Sequence, residues 1–288
     1  MRSRLAALCA AALTTAAASA AAFSGTGSAA ASAAPSAIPA YSHVVVVMEE
    51  NHSYDDIIGD TADAPYINSL AGNGALLTSS FGVSHPSEPN YMALFGGSTF
   101  GLSSDSCPVS EGTKANLGSE LLAAGKTFKG YSEGLPSVGS TKCTSGAYAR
   151  KHAPWANFSN VPAADQQPFT AFPSDYSTLP TVSFVIPNLN DDMHDGTIAD
   201  GDSWLQNNID GYAQWAAANN SLLIVTWDED DYTESNQIPT IFYGAGVTQG
   251  QYSETVNHYN VLATLEQMYG LPAVGNSASA TPITDIFG

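Results

Sequence analysis

The segment VVVVMEEN, Val44–Asn51, is an apolar run that ends directly in two acids and an amide. A short run rich in β-branched residues predicts a buried strand of a parallel sheet. The segment LLIVTWDEDD, Leu222–Asp231, has the same form. Open α/β sheets bind ligands at the carboxyl ends of such strands, and acids gathered there repel one another unless a cation lies among them. The two segments therefore predict a metal site built from distant parts of the chain.

Strand and helix patterns alternate along the rest of the sequence. Strands are predicted at 43–48, 75–80, 127–131, 181–186, 222–226 and 240–243, and helices at 65–71, 90–95, 117–124, from 202, and at 259–269. Strands separated by helices imply parallel crossovers, so we expect an α/β fold with a mostly parallel central sheet and helices on both faces. The stretch 134–179 shows little periodicity and is expected to wall the active site.

The first residues resemble an export signal. Arg2 and Arg4 precede an apolar, small-residue run from Leu5 to about Ala22, and Ala-x-Ala cleavage sites follow. We expect 1–37 to be a signal peptide with a low-complexity leader, 38–288 to be a single catalytic domain, and the protein to be secreted, monomeric and without a stable membrane span. A membrane anchor is the weaker alternative, because the run dissolves into Gly and Ser by Gly25.

The charge balance restricts the partners of the protein. The formal net charge is −19, and loss of Arg2 and Arg4 with the leader would leave six basic residues against 27 acidic ones. Nucleic acid and anionic membrane patches are therefore poor electrostatic partners. A phosphate substrate could approach only where a metal or the few cations reverse the local field.

Two cysteines, Cys107 and Cys143, remain beyond the leader. In an exported protein they are expected to form one disulfide, with two free thiols as the alternative.

Ser87 lies between a predicted strand and a predicted helix. At a helix start the free backbone N–H groups favour an anion, so a serine there could attack phosphorus while its product is held by those donors. The alternative is a simple N-capping serine. The acidic strand ends favour the first interpretation, because a metal can activate a serine that lacks a Gly-x-Ser-x-Gly elbow.

Oxygen side chains suited to a divalent metal follow the two strands. Glu50, Asn51, Asp228 and Glu229 supply hard ligands, and the Ser87 oxygen could complete the shell. The alternatives are a solvated loop after the first strand and a turn after the second.

A third acidic strand end, NDDMHDG at 190–196, adds a histidine. His194 could donate to a phosphoryl oxygen, protonate a leaving alkoxide or bind a second metal. The alternative is a calcium-binding loop that uses Asp191, Asp195 and Asp202. Two features disfavour this loop: Met193 occupies a ligand position, and the segment before the loop is a strand rather than a helix.

Arg150 and Lys151 place two cations side by side in this acidic chain. They are candidate counter-charges for a phosphate, with surface salt bridges as the alternative. His258 opens the last helix and is either an inward functional histidine or a helix-start residue of no consequence.

At these residues the chain resembles the bacterial phosphoesterase family that joins phospholipases C with metal-dependent acid phosphatases, within the alkaline-phosphatase superfamily. The resemblance spans nearly the whole chain after the leader and extends to secreted acid phosphatases that act on phosphatidylinositol 3-phosphate. It rests on HVVVVMEEN, APYINSLA, HPSEPNY, NLGSELL, YARKHAPWANFSNVP, LPTVSFVIPN, NDDMHDG, GDSWL, NNSLLIVTWDEDD and HYNVLATLEQMYGLP.

The resemblance implies an alkaline-phosphatase-like fold and a set of site residues. Ser87 would accept the phosphoryl group, and the metal ligands would be Glu50, Asn51, Asp228 and Glu229. His152 and His194 would contact the phosphoryl group, with Asp192 and His258 nearby. Together with the charge argument above, we predict that Lys151, Arg150, Asn90 and His258 bind substrate phosphate. Asp192, His194 and His258 would form any second metal site, although Asp191 beside Asp192 leaves open which aspartate acts.

We therefore predict a secreted acid phosphatase that uses one or two divalent metal ions and a phosphoserine intermediate. Its substrate would be a phosphate monoester, and the resemblance favours a phosphoinositide headgroup. The alternatives are a phosphodiesterase of phospholipase C type and a non-enzymatic calcium-binding secreted protein.

Overall fold

Strands and helices alternate along the chain, as the sequence predicts. The computed structural model describes residues 38–233 and 235–288, so the expected leader at 1–37 lies outside the described residues. The strands are β1 (His43–Glu49), β2 (Ala75–Phe81), β3 (Phe128–Ser132), β4 (Thr144–Ser145), β5 (Tyr148–Ala149), β6 (Gln166–Pro168), β7 (Val182–Ile186), β8 (Ser221–Trp227), β9 (Gln237–Gly244), β10 (Gly250–Tyr252) and β11 (Val256–Asn257). The α-helices are α1 (Tyr54–Ile57), α2 (Pro65–Asn73), α3 (Ser87–Gly96), α4 (Leu117–Ala123), α5 (Ile198–Ala218) and α6 (His258–Tyr269).

The main sheet is mostly parallel. Among the described residues it has nine strands, in the order β10-β2-β9-β8-β1-β7-β3-β6, with β11 paired to β2. β9 runs antiparallel to β2 and β8, and the other pairings in this sheet are parallel. β1, β2, β3, β7 and β8 therefore end at the same edge, so the side chains that follow them can meet.

Two cores cover the two faces of the sheet. Along β1, Val44, Val46 and Met48 belong to one core, and Val45 and Val47 belong to the other, because successive strand residues face opposite sides. The first core contains apolar residues of α3, α4 and α6, and the second contains those of α1, α2 and α5. The prediction of helices on both faces is confirmed.

Helix α5 begins earlier than the sequence pattern predicts, at Ile198 rather than at Asp202. Thr197 caps it: the Thr197 hydroxyl accepts from the Asp200 N–H, and the Asp200 carboxylate accepts from the Thr197 N–H and hydroxyl. This reciprocal capping satisfies backbone donors that the first turn leaves free. The sequence Thr-x-x-Asp is the signal that sets the start.

The predicted disulfide is present between Cys107 and Cys143. It ties the segment before α4 to the stretch 134–179, which folds as short strands and single 3-10 turns. None of the described helices combines the length and apolar character that a membrane crossing requires.

Candidate active site

The two acidic segments meet at the edge where β1 and β8 end. The Asn51 N–H donates to Asp228 Oδ1 at 3.1 Å, and the Asp228 N–H donates to the Glu49 carbonyl at 3.0 Å. Asn51 has a φ of 58°, a left-handed conformation that asparagine tolerates better than most residues. Glu49, Glu50 and Asp228 are fully buried, so the alternatives of a solvated loop and a simple turn do not hold.

Ser87 is the first residue of α3, and its hydroxyl lies among the carboxylates. Ser87 Oγ donates to Glu50 Oε2 at 2.9 Å and lies 3.2 Å from Glu229 Oε1. Pro86 occupies the N-cap position, and no side-chain cap bond forms. The hydroxyl therefore serves the acidic cluster rather than the helix end, and folding brings residues 50, 87 and 229 together as predicted.

The cluster has the chemistry of a divalent-cation site. Asn51 Oδ1 and Asp228 Oδ2 are buried and have no hydrogen-bond partner among the described residues. Burial and then the charges of Glu50 and Glu229 raise the pKa of Asp228 well above its usual range, and burial with Glu50 raises the pKa of Glu229 to about 8. Ionised carboxylates packed this closely need a counter-charge, which a hard divalent ion would supply.

The donor set is of mixed type. No group of three or more His, Cys, Asp or Glu side chains in residues 38–233 and 235–288 is arranged to hold a metal ion by itself. The Asn51 amide oxygen and the Ser87 hydroxyl would have to complete the set that Glu50, Asp228 and Glu229 begin. These five residues fit a cation that accepts neutral as well as anionic oxygens.

Glu50 lies against two stacked rings, one of which bonds it. The Tyr91 hydroxyl donates to Glu50 Oε1 at 2.5 Å, and His152 Nε2 lies 3.1 Å from the same oxygen. The Tyr91 and His152 rings are stacked, with centroids 4.8 Å apart. Burial lowers the pKa of His152 to about 4, so this imidazole is neutral at physiological pH. Its second nitrogen lies 3.3 Å from Asp192 Oδ2, which places His152 between Glu50 and Asp192.

Asp192, rather than Asp191, faces the site. Asp192 is fully buried, and its Oδ1 accepts from the His194 N–H at 2.9 Å. Burial raises the pKa of Asp192 to about 7. Asp191 accepts from the Asn188 side chain at 2.7 Å instead. The structure thus settles the placement that the sequence leaves open.

The calcium-loop alternative fails on geometry. Asp202 lies in α5, and its oxygens accept the Tyr66 and Ile67 N–H groups at the start of α2. Asp195 pairs with His194 Nδ1 at 2.8 Å. Because these carboxylates serve separate donors, they do not converge on one cation.

The Lys151 ammonium group lies at the entrance of the site, which is called its mouth below. Lys151 Nζ donates to Asp105 Oδ2 at 2.7 Å and lies 3.4 Å from His194 Nε2. Burial would lower the pKa of Lys151, but the bond to Asp105 and the charges of Glu50 and Asp228 raise it overall. Asp105 Oδ1 also accepts the Glu88 N–H at 3.0 Å. That helix-start donor, which the sequence assigns to phosphate, is therefore already used.

Three residues predicted to bind phosphate have other partners. The Arg150 guanidinium donates to the carbonyls of 109, 141 and 156 and to Asn157, so it braces the excursion at 134–179. The Asn90 amide bonds the backbone of 83–86 and touches Glu229 at 3.4 Å. His258 Nε2 lies 2.6 Å from the Asp228 carbonyl. Each side chain organises the site or its surroundings through these contacts.

Sequence reasoning misses three contributors: His85, Tyr91 and Asp105. His85 Nδ1 lies 2.7 Å from Glu229 Oε2, and its ring stacks on the exposed Tyr232 at 3.9 Å. Tyr91 follows Ser87 by four residues, which places both on one face of α3. That spacing is a usable signal, whereas Asp105 has no local pattern.

Comparison with known proteins identifies the family. Residues 60–272 match the phosphoesterase family. The chain belongs to this family. The phosphoesterase is 61% identical over 253 residues to the phosphatidylinositol-3-phosphatase of Mycobacterium tuberculosis, a match that covers 87% of this chain and 84% of that protein. It is 31% identical to an acid phosphatase of Aspergillus fumigatus, covering 86% of this chain and 59% of the fungal protein. The prediction of a phosphatase is confirmed.

Solved structures confirm the fold of the phosphoesterase. A Vibrio parahaemolyticus protein of the alkaline phosphatase superfamily superposes with a TM-score of 0.60 at 12% identity, over 87% of this chain and 72% of that one. The phosphonate monoester hydrolase of Agrobacterium radiobacter gives 0.55 at 12% identity, over 80% and 74%. At such identities the comparison supports the architecture alone.

Proposed function

We propose that this phosphoesterase is a secreted, metal-dependent phosphatase that hydrolyses phosphate monoesters through a phosphoserine at Ser87. The observation that carries the proposal is the Ser87 hydroxyl held between Glu50 and Glu229 at the edge of the sheet. Secretion rests on the predicted leader. Metal dependence rests on the crowding of carboxylates and on buried oxygens of Asn51 and Asp228 that find no hydrogen-bond partner within residues 38–233 and 235–288.

Ser87 is the nucleophile in this mechanism. Its proton leaves toward Glu50 or Glu229 as Oγ bonds to phosphorus and the bond from phosphorus to the leaving oxygen breaks. A bound divalent cation, held by Glu50, Asn51, Asp228 and Glu229 with Ser87, would favour the serine alkoxide and offset the charge on phosphate. Tyr91 keeps Glu50 oriented. A water molecule then attacks phosphorus, which releases inorganic phosphate and returns the Ser87 oxygen to its hydroxyl form.

Lys151 and His194 act on the substrate from the mouth of the site. Lys151 provides positive charge beside phosphate oxygens, and Asp105 fixes its position. His194 is half-buried next to Lys151, and in this proposal it protonates the departing alcohol. His258 and His85 act through other residues, since they contact the Asp228 carbonyl and the Glu229 carboxylate.

The substrate we propose is a phosphoinositide monoester, with the phosphate of phosphatidylinositol 3-phosphate as the reacting group. The support is the 61% identity to an enzyme named for that substrate, over most of both chains. A net charge of −19 opposes binding to anionic membranes, so local charge at Lys151 and the cation must attract the headgroup.

Ser87→Ala tests the mechanism, with Ser183→Ala as the matched control. Ser183 is also fully buried, and its hydroxyl has no hydrogen-bond partner among the described residues. We expect Ser87→Ala to lose more than about a thousandfold in phosphate release from phosphatidylinositol 3-phosphate and nitrophenyl phosphate, while the control keeps its activity. Mass spectrometry of quenched wild-type enzyme should find phosphate on the peptide containing Ser87. Turnover by Ser87→Ala within about tenfold of wild type would exclude this nucleophile.

A further inference from the structure

An apolar recess adjoins the catalytic edge. Its walls include Leu189, Ala149 and the disulfide between Cys107 and Cys143, and its volume is about 260 Å³. Its rim carries Asp105, Lys151 and His194. The recess is thus an apolar surface that ends in the polar groups assigned to the mouth of the site.

The recess shares its rim with polar groups that lie beside the acidic cluster. Asp105 accepts the N–H of Glu88, the residue next to Ser87. Lys151 contacts both Asp105 and His194 across the rim. The recess therefore opens at Lys151 and His194, the two groups to which the proposed mechanism gives a role beside the phosphate and the departing alcohol.

The walls of the recess are fixed by the backbone. The Leu189 N–H donates to the Ala147 carbonyl at 3.0 Å, and the Leu189 carbonyl accepts the Asp195 N–H at 2.7 Å. The Arg150 N–H donates to the Cys143 carbonyl at 2.9 Å, next to the disulfide. A substitution at Leu189 should therefore change the shape of the recess while the backbone stays in place.

We propose that this recess binds the six-membered cyclitol ring of the leaving alcohol, and that Leu189 determines whether ring-bearing phosphate monoesters are preferred. This assignment rests on the proposed phosphatase function. A volume of about 260 Å³ is just below the ~300 Å³ at which pockets begin to hold drug-sized ligands, so it suits one ring and is too small for a diacylglycerol. The C–H face of a cyclitol ring can pack on Leu189 and the disulfide, and its hydroxyls can reach the polar rim.

Leu189→Trp, which fills the recess, tests this assignment. Val138→Trp is the matched control, because Val138 is 52% exposed and does not line the recess. The substrates are inositol 3-phosphate, dibutanoyl phosphatidylinositol 3-phosphate and ethyl phosphate, which has no ring. Thermal unfolding and the inhibition constant of inorganic phosphate establish that each variant is folded and keeps its phosphate site.

We expect Leu189→Trp to lower kcat/KM about tenfold or more for both inositol substrates, and to leave ethyl phosphate within about twofold of wild type. Leu189→Ala should raise KM for the ring substrates with little change in kcat, since it removes a contact made equally in the ground and transition states. An equal loss on all three substrates, or no loss, overturns the proposal. A loss confined to the lipid substrate also overturns it, because the recess would then hold the glycerol portion. If the wild type releases phosphate from none of them, the proposed function itself fails.

Discussion

Tyr91→Phe removes one hydroxyl from behind the catalytic edge and nothing else. The Tyr91 hydroxyl donates to Glu50 Oε1 at 2.5 Å, while its ring stacks on His152 at 4.8 Å with an angle of 8° between the planes. Phenylalanine preserves that stacking and the buried volume. After the change, His152 Nε2 still lies 3.1 Å from Glu50 Oε1.

The expected magnitude follows from the charge on Glu50. A hydrogen bond to a charged group contributes about 1.5–3 kcal/mol, and about 1.4 kcal/mol corresponds to a factor of ten in a dissociation constant. If Glu50 binds a cation, the Kd of that cation should rise about 10- to 100-fold. The loss of a hydrogen bond behind a metal ligand typically costs the same range of affinity.

The assay is a metal titration of chelator-treated enzyme, followed by nitrophenyl phosphate turnover and by calorimetry. Tyr148→Phe is the control, because Tyr148 is equally buried but its hydroxyl accepts from Gln166 at 3.3 Å, away from Glu50. A cation Kd for Tyr91→Phe within about twofold of wild type would refute the assignment of Glu50 as a ligand. Equal weakening by both variants would show a general loss of stability instead.

Three further predictions concern stability. Arg150→Lys should lower the free energy of unfolding by about 1–3 kcal/mol in urea titrations, since lysine cannot reproduce the four hydrogen bonds of the guanidinium; an unchanged value would contradict the bracing role. Gly130→Ala should cost about 1–3 kcal/mol by the same measurement, because its Cβ would lie 2.1 Å from the buried Trp155 ring, and Trp155→Phe should recover part of the loss. Burial and the charge of Asp285 raise the pKa of Glu254 from 4.5 to about 7, so the folded state keeps a proton that the unfolded state loses. The free energy of unfolding therefore falls as pH rises from 4.5 to 7, and Glu254→Gln should remove this part of the pH dependence. If the Tm values of the variant and the wild type changed with pH in parallel, the assignment to Glu254 would be wrong.

The sheet and the acidic edge could be predicted from sequence because their signals are local. The apolar run of β1 and the acids after it lie in one short segment, and strand pairing then requires distant acids to meet. Ser87 could be placed at a helix start for the same reason. In each case the physical cause, burial of an apolar strand or the free donors of a first turn, acts over a few residues.

The partners of the long polar side chains could not be predicted. Arg150 is a residue type that often binds phosphate, yet its guanidinium donates to backbone carbonyls in and near the excursion. No sequence pattern predicts these contacts. Asp105 reaches Lys151 because the Glu88 N–H and the nearby disulfide hold its loop. Such contacts depend on how separate segments pack, and the sequence around Arg150 or Asp105 does not predict that packing.

The alternation along β1 has a consequence for how this enzyme can change in evolution. Glu50 continues the side of the strand that carries Val46 and Met48, and Glu49 continues the opposite side. Inserting or deleting one residue within β1 would exchange the two glutamates while leaving a glutamate at the strand end. The register of this strand therefore has to be inherited unchanged if Glu50 is to stay in the site.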